Sequence, residues 1–113
     1  MTSTLARDLR RVLPAEAVID DPLRLELYGY DGTLFEAQPA LAVLPETTEQ
    51  VVAVVRACHA AGVPLVPRGG ATSLSGGPVP TEGGVVVGLS RMDRILALDY
   101  ENLRAVVQPG VIN

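Results

Sequence analysis

The sequence predicts an α+β fold in which a small strand–helix–strand lobe leads into the beginning of a second, strand-rich lobe. A helix with clear start and stop signals lies between two short apolar segments within residues 40–67. A loop of Gly, Ser and Thr follows directly, and short β-branched segments separated by turn residues fill the rest. We therefore divide the chain into a helical lead-in (1–39), the strand–helix–strand lobe (40–67), and the loop with the start of the second lobe (68–113).

The composition describes at most one soluble globular domain with an aliphatic core. The chain has 113 residues, of which 48% are hydrophobic and 19% charged, and it has no Trp. Its net charge is −4 and it has no extended basic run, so it lacks the electrostatic footprint of a nucleic-acid-binding protein. A single cysteine excludes an internal disulfide and a cysteine-rich metal site. We expect no transmembrane segment and, because the first residues lack a secretory apolar core, a cytoplasmic location.

Two helices are predicted in the lead-in. The first covers residues 3–13, with Ser3 as its N-cap and Pro14 as its stop, and it has an apolar face of Leu5, Leu9, Val12 and Leu13. The second begins at Asp20–Asp21–Pro22, where an aspartate cap precedes a proline suited to the first turn, and it continues to Tyr28. For Asp31, a turn-capping carboxylate is the simpler interpretation, and a site role stays open.

The strand–helix–strand lobe is expected to contain strands at residues 40–44 and 63–66. Between them, Thr47 and Gln50 form a capping box, and Gly62 supplies a left-handed end to the helix. The predicted buried stripe is Val51, Val54, Val55, Cys58 and Ala61. Right-handed crossover makes the two strands parallel if they share one sheet. Cys58 is interpreted as a core residue and His59 as a surface residue, because neighbours on a helix cannot chelate a metal alone.

The second lobe is expected to open with a buried strand at residues 85–89, apolar at consecutive positions. A turn at Ser90–Asp93 then leads to strands at residues 95–98 and 103–107, which form a hairpin around residues 99–102. Pro109–Gly110 ends the last strand.

The loop at residues 68–77 has the composition of an anion-binding site. Its glycines (Gly69, Gly70, Gly76 and Gly77) permit positive φ and close approach to a ligand, and consecutive amides can converge on an anion. Thr72, Ser73 and Ser75 add hydroxyl donors, and Arg68 adds a positive charge suited to a phosphate. The chain has no lysine for a P-loop, and the glycine spacing differs from a dinucleotide fingerprint. An ordinary glycine-rich surface turn remains the alternative.

Motifs along nearly the whole chain resemble the FAD-binding oxidoreductases of the vanillyl-alcohol oxidase (PCMH-type) family. Within it they are most similar to the branch of bacterial glycolate oxidase FAD-binding subunits and D-lactate dehydrogenases. The motifs are Tyr28–Asp31, Val43–Pro45, Pro67–Gly69, Thr72–Gly77, Leu89–Met92 and Val107–Gly110. Ala71 departs from the family pattern, which has glycine there.

The resemblance implies a PCMH-type FAD-binding domain with the FAD pyrophosphate in a groove between the lobes, on the amides of residues 68–77. The implied cofactor-binding residues are Arg68, Gly69, Gly70, Ala71, Thr72, Ser73, Leu74, Gly76, Gly77, Pro109 and Gly110. Some relatives attach FAD through a histidine in this loop. Thr72 occupies the matching position, so the resemblance implies non-covalent FAD.

The implied parent activity is FAD-dependent oxidation of a 2-hydroxy acid of the glycolate or D-lactate type. The family continues with more of the FAD domain and a substrate-binding cap, so we expect this chain to be an N-terminal fragment, inactive alone. We find no catalytic constellation and no metal site in its sequence. Further oxidase subunits are expected partners of the parent. A non-catalytic flavin or nucleotide binder and a structural fragment without ligand stay open as alternatives.

Overall fold

A four-stranded sheet in the order β1-β2-β4-β3 combines strands from all three predicted segments of the chain. The computed structural model describes residues 2–28, 39–69 and 83–111. The strands are β1 (Val18–Ile19), β2 (Leu41–Val43), β3 (Leu65–Arg68) and β4 (Val85–Gly88). Strands β2 and β3 both pair with β4 in parallel, whereas β1 pairs antiparallel with β2. The predicted parallel relation of β2 and β3 is confirmed, although β4 lies between them.

Strand β4 carries the centre of the core. Its residues are all buried, and Val85 and Val86 are completely so. Because β2 and β3 cover its two edges and side chains cover both faces, an uninterrupted apolar sequence is what this position requires. This burial confirms the prediction made from the consecutive valines. The expectation that this strand opens the second lobe is wrong, because it pairs with β2 and β3 in the same sheet.

Helix α1 (Thr2–Leu9) is shorter than predicted. It begins one residue before Ser3, which therefore lies inside the helix rather than at its cap, and turns replace it at residues 10–12. Leu5, Leu9 and Leu13 are buried as expected, but Val12 is 44% exposed because the turn rotates it away from the core.

Helix α2 (Pro22–Leu25) continues as a 3-10 turn over Glu26–Tyr28, and another 3-10 turn covers Ala15–Ala17. The predicted start of α2 is confirmed. The side chain of Asp21 accepts a hydrogen bond from the Leu23 amide at 3.2 Å, and Pro22 occupies the first turn.

Helix α3 (Thr48–Ala61) has the predicted ends. Thr47 Oγ1 accepts a hydrogen bond from the Gln50 amide at 3.1 Å, and Gln50 Oε1 accepts one from the Glu46 amide at 2.8 Å. Gly62 ends the helix at φ 68°.

The buried stripe of α3 is narrower than predicted. Val54 and Cys58 are fully buried, whereas Val55 is 43% exposed and Ala61 is also exposed. The sheet and α1 cover only the side of the helix that carries Val54 and Cys58. Val55 is the next residue after Val54 and therefore points away from that side.

Strand β3 runs through Pro67, where the sequence predicted its end. The carbonyls of Pro64 and Arg68 accept from the amides of Val85 and Leu89 at 2.9 and 2.8 Å, so both face β4. Because successive residues of a strand face opposite ways, the Pro67 nitrogen points to the outer edge. Proline there removes no hydrogen bond from the ladder.

The remaining strands, β5 (Ile95–Asp99) and β6 (Arg104–Val107), form a two-stranded hairpin. The predicted hairpin is confirmed, but β5 extends one residue further than expected, to Asp99, which pairs with Arg104, and β6 begins one residue later than expected. The pairing is irregular between Ile95 and Ala97. In the turn, the amide and side chain of Asn102 both donate to the Asp99 carboxylate, which holds the pKa of that carboxyl below its ordinary value. Every residue of both strands is exposed.

Candidate cofactor site

The candidate site lies where β3 and β4 end and the Pro109–Gly110 turn returns from the hairpin. Gly69 follows β3 directly, and a Cβ built on it would lie 4.0 Å from the Pro109 carbonyl oxygen. Ligands of α/β sheets bind beyond the carboxyl ends of parallel strands, and this turn meets the sheet at that edge. Gly69 and Pro109 are both exposed, so backbone without bulky side chains forms this rim.

A chain of backbone hydrogen bonds fixes the rim. The Leu89 amide donates to the Arg68 carbonyl, the Met92 amide donates to the Leu89 carbonyl at 3.0 Å, and the Gly110 amide donates to the Met92 carbonyl at 2.8 Å. A Cβ on Gly110 would lie 2.8 Å from the Met92 oxygen and closer still to that of Leu89. The turn therefore requires glycine at this position for packing.

Gly88, the last residue of β4, packs closely against the Leu44 side chain. A Cβ there would lie 2.6 Å from Leu44 Cδ2 and 3.9 Å from Tyr28 Cε1. The half-buried Tyr28 ring thus lies against the end of the central strand, next to the candidate site.

The Arg68 side chain reaches back to the lead-in. Its Nη2 donates to the Leu27 carbonyl at 3.0 Å, and its Cζ lies 5.6 Å from the centroid of the Tyr28 ring. The sequence indicated a charge for a phosphate at this position and gave no indication of these two partners. The available signal was Tyr28 itself, which opens one of the resemblance motifs.

The structure brings together four of the predicted site residues, namely Arg68, Gly69, Pro109 and Gly110. The others lie outside the described residues, and so does Asp31; they are Gly70, Ala71, Thr72, Ser73, Leu74, Gly76 and Gly77. The rim supplies exposed glycine backbone at the carboxyl ends of parallel strands with a cation beside it, which fits a pyrophosphate group.

Two other groups raised by the sequence lie apart from this rim. Cys58 is fully buried on α3, and burial raises the pKa of its thiol. His59 is exposed. Across residues 2–28, 39–69 and 83–111, no group of three His, Cys, Asp or Glu side chains could hold a metal ion. The helices of these same ranges are too short or too polar to cross a membrane.

Comparison with known proteins identifies the cofactor class. The family described as "FAD binding domain" matches residues 39–113. The chain belongs to this FAD binding domain family. FAD is therefore the cofactor of the domain, as the loop and its flanking motifs predicted.

The matching range covers the β2–α3–β3 unit, the glycine loop and the hairpin. Among solved structures, p-cresol methylhydroxylase superposes with a TM-score of 0.86 and 27% identity over 96% of this chain and 22% of its own. The fold is thus the PCMH-type FAD-binding fold, in part, and the predicted α+β class is confirmed.

Curated relatives are oxidoreductases acting on hydroxy acids by name. The glycolate oxidase subunit GlcD of Bacillus subtilis is 38% identical over 99% of this chain and 24% of its own length. The D-lactate dehydrogenase of Anaerostipes hadrus is 30% identical over 99% of this chain and 24% of its own. The D-2-hydroxyglutarate dehydrogenase of Stutzerimonas stutzeri is 39% identical over 96% and 24%. The chain thus spans about a quarter of the length of these relatives.

Proposed function

We propose that this chain is the pyrophosphate-holding part of a flavin-dependent oxidoreductase that oxidises a 2-hydroxy acid of the glycolate or D-lactate type. The observation that carries the proposal is the exposed Gly69 beside the Pro109 carbonyl, at the strand ends where the glycine loop begins. The names of the relatives support the substrate class, and D-2-hydroxyglutarate is another member of that class.

In this proposal the backbone amides of residues 68–77 bind the FAD pyrophosphate. Amide donors converging on an anion need no basic side chain, which suits a chain without lysine. Pro109 and Gly110 form the other side of the rim, where the Gly110 amide donates to the Met92 carbonyl and the Met92 amide donates in turn to the Leu89 carbonyl. Thr72 carries no imidazole for a covalent link, so FAD binding is proposed to be reversible.

When bound, the flavin supplies the ability to accept a hydride from the carbon that bears the substrate hydroxyl. The protein must then position the substrate and accept its hydroxyl proton. We assign that task to a longer parent protein and its cap, and we propose that this chain alone is inactive. Association of the parent with further oxidase subunits and a cytoplasmic location are parts of the same proposal.

The first test is a titration of the chain with FAD and with FMN, followed by flavin fluorescence. FMN lacks the pyrophosphate and the adenosine, so the proposal predicts a clear preference for FAD. Equal binding of both would move the contacts to the flavin ring and contradict the assignment of the loop. No binding by a folded chain, with an unchanged melting temperature, would favour a structural fragment, because ligand at 100 times its Kd stabilises a protein by about 2.7 kcal/mol.

A matched pair of glycine variants tests the rim itself. Gly69→Ala adds a methyl group that meets no atom of the described residues nearer than 4.0 Å, so it is expected to fold normally and to weaken FAD binding. A tenfold loss would correspond to about 1.4 kcal/mol. Gly62→Ala is the control, since it strains the left-handed end of α3 away from the rim and leaves FAD affinity unchanged. Unchanged affinity in Gly69→Ala would remove this residue from the site.

A further inference from the structure

Arg68 joins two segments that are distant in the sequence. Its Nη2 is hydrogen-bonded to the Leu27 carbonyl, 41 positions earlier, and its guanidinium lies beside the Tyr28 ring. Leu27 and Tyr28 belong to the 3-10 turn that follows α2 in the lead-in. Arg68 itself is the last residue of β3, immediately before the rim glycine. The contact therefore ties the lead-in to the base of the glycine loop.

The surrounding backbone is shaped for this contact. Arg68 is paired in register with Gly88, which Leu44 approaches closely and which lies within ordinary contact distance of the Tyr28 ring. The Arg68 carbonyl meanwhile accepts from the Leu89 amide at 2.8 Å, which fixes its backbone to β4. The side chain thus projects from an anchored strand end onto an aromatic ring supported by that same sheet.

We propose that Arg68 and Tyr28 are positioning residues that clamp the lead-in onto β3 and thereby set the base of the glycine loop. Arg68 then acts on the cofactor through the chain conformation, and the loop amides bind the phosphate. This inference rests on the proposed function of the loop.

The chemistry of the guanidinium supports a clamp. Its planar shape offers an edge of fixed N–H donors to a carbonyl and a flat face to an aromatic ring at the same time. A lysine ammonium would keep the positive charge but could not reproduce this pair of contacts. Lysine at position 68 therefore separates a role in charge from a role in shape.

The first arm of the test needs no cofactor. A double-mutant cycle of Arg68→Met and Tyr28→Leu measures coupling through urea unfolding, and a clamp predicts roughly two- to fivefold coupling in the unfolding equilibrium constant. Tyr28→Phe keeps the ring and is expected to retain the coupling. A clamp also predicts faster amide hydrogen exchange at residues 23–28 in Arg68→Met, because this segment would lose its attachment to β3. Absence of coupling would overturn the proposal.

The second arm compares FAD affinity at low and high salt. A clamp predicts that Arg68→Lys weakens FAD binding as much as Arg68→Met does and that Tyr28→Leu weakens it too. It also predicts that the salt dependence of FAD binding in these variants equals that of the unsubstituted chain. The control for the loss of one positive charge is Arg11→Met, since Arg11 is an exposed residue in the turn that follows α1. If Arg68→Lys binds FAD like the unsubstituted chain while Arg68→Met has a reduced salt dependence, position 68 acts through its charge on the phosphate and the proposal is wrong. If the unsubstituted chain binds no flavin, the proposed function fails, and the coupling alone decides for or against the clamp.

Discussion

Replacing Gly110 with alanine tests the junction between the hairpin and the sheet. The added Cβ would lie 2.8 Å from the Met92 oxygen and closer to that of Leu89. Both are backbone oxygens, and each accepts a hydrogen bond, so neither can move aside as a side-chain tip would. Overpacking of this kind costs about 1–3 kcal/mol, and losing the Gly110–Met92 hydrogen bond costs about 1 kcal/mol more. We expect a total loss of about 2–4 kcal/mol.

The measurement is urea unfolding followed by circular dichroism, with amide hydrogen exchange at Gln108, Gly110 and Val111 to detect local release of the turn. Gly62→Ala and Gly69→Ala complete the series. The first strains a left-handed residue that has no described neighbour within 4 Å, at about 1–2 kcal/mol, and the second meets its nearest described neighbour at an ordinary 4.0 Å. The expected loss of folding stability is largest for Gly110→Ala, smaller for Gly62→Ala and smallest for Gly69→Ala. If Gly110→Ala were as stable as Gly69→Ala and exchanged no faster, the rigid junction would be refuted.

Three further outcomes follow from single residues. Thr47→Ala removes the acceptor that caps α3 and should lower the free energy of unfolding in urea by about 1 kcal/mol. Thr47→Ser keeps the hydroxyl and should retain most of that stability. Leu103 has φ 54° and is 91% exposed, so Leu103→Gly should stabilise the chain by up to about 1 kcal/mol, while Leu103→Ala should not. Because burial raises the pKa of the Cys58 thiol, the folded chain keeps its proton where the unfolded chain loses it. Its contribution to stability is complete below the ordinary thiol pKa and declines above about pH 8.5, and Cys58→Ala should flatten that decline.

Local signals in the sequence predicted local structure well. The start of α2, both ends of α3 and the hairpin turn depend on neighbours within four residues, such as Thr47 with Gln50 and Asp99 with Asn102. The burial of β4 on both faces followed from its unbroken apolar sequence, whereas its place between β2 and β3 did not. These features could be predicted because the interactions that determine them lie within a short segment.

The misplaced boundaries depend on interactions between distant segments. Strand β1 has two residues and exists through its pairing with β2, so no periodicity could reveal it. Val55 is exposed because of where the sheet and α1 lie, which the pattern of α3 alone does not specify. Val12 is exposed for the related reason that α1 ends earlier than its apolar spacing suggested.

The candidate site divides in the same way. The composition of residues 68–77 predicted an anion site, and the family match supports its cofactor. The neighbours of Arg68 could not be predicted, because Leu27 and Tyr28 reach it only once the lead-in has folded against β4. Gly110 was expected near the flavin, but its packing against Leu89 and Met92 emerged only from the structure.

Pro67 has a consequence for how copies of this chain meet. Among the described residues, β3 is an edge strand of the sheet. An edge strand has unpaired backbone groups that can pair with a strand of another molecule. Of the two β3 residues whose nitrogens face outward, Leu65 and Pro67, the proline has no hydrogen to donate. A neighbouring molecule adding a strand here would leave one of its own acceptors without a donor. The sheet thus discourages intermolecular extension next to Gly69, where the proposed cofactor loop begins.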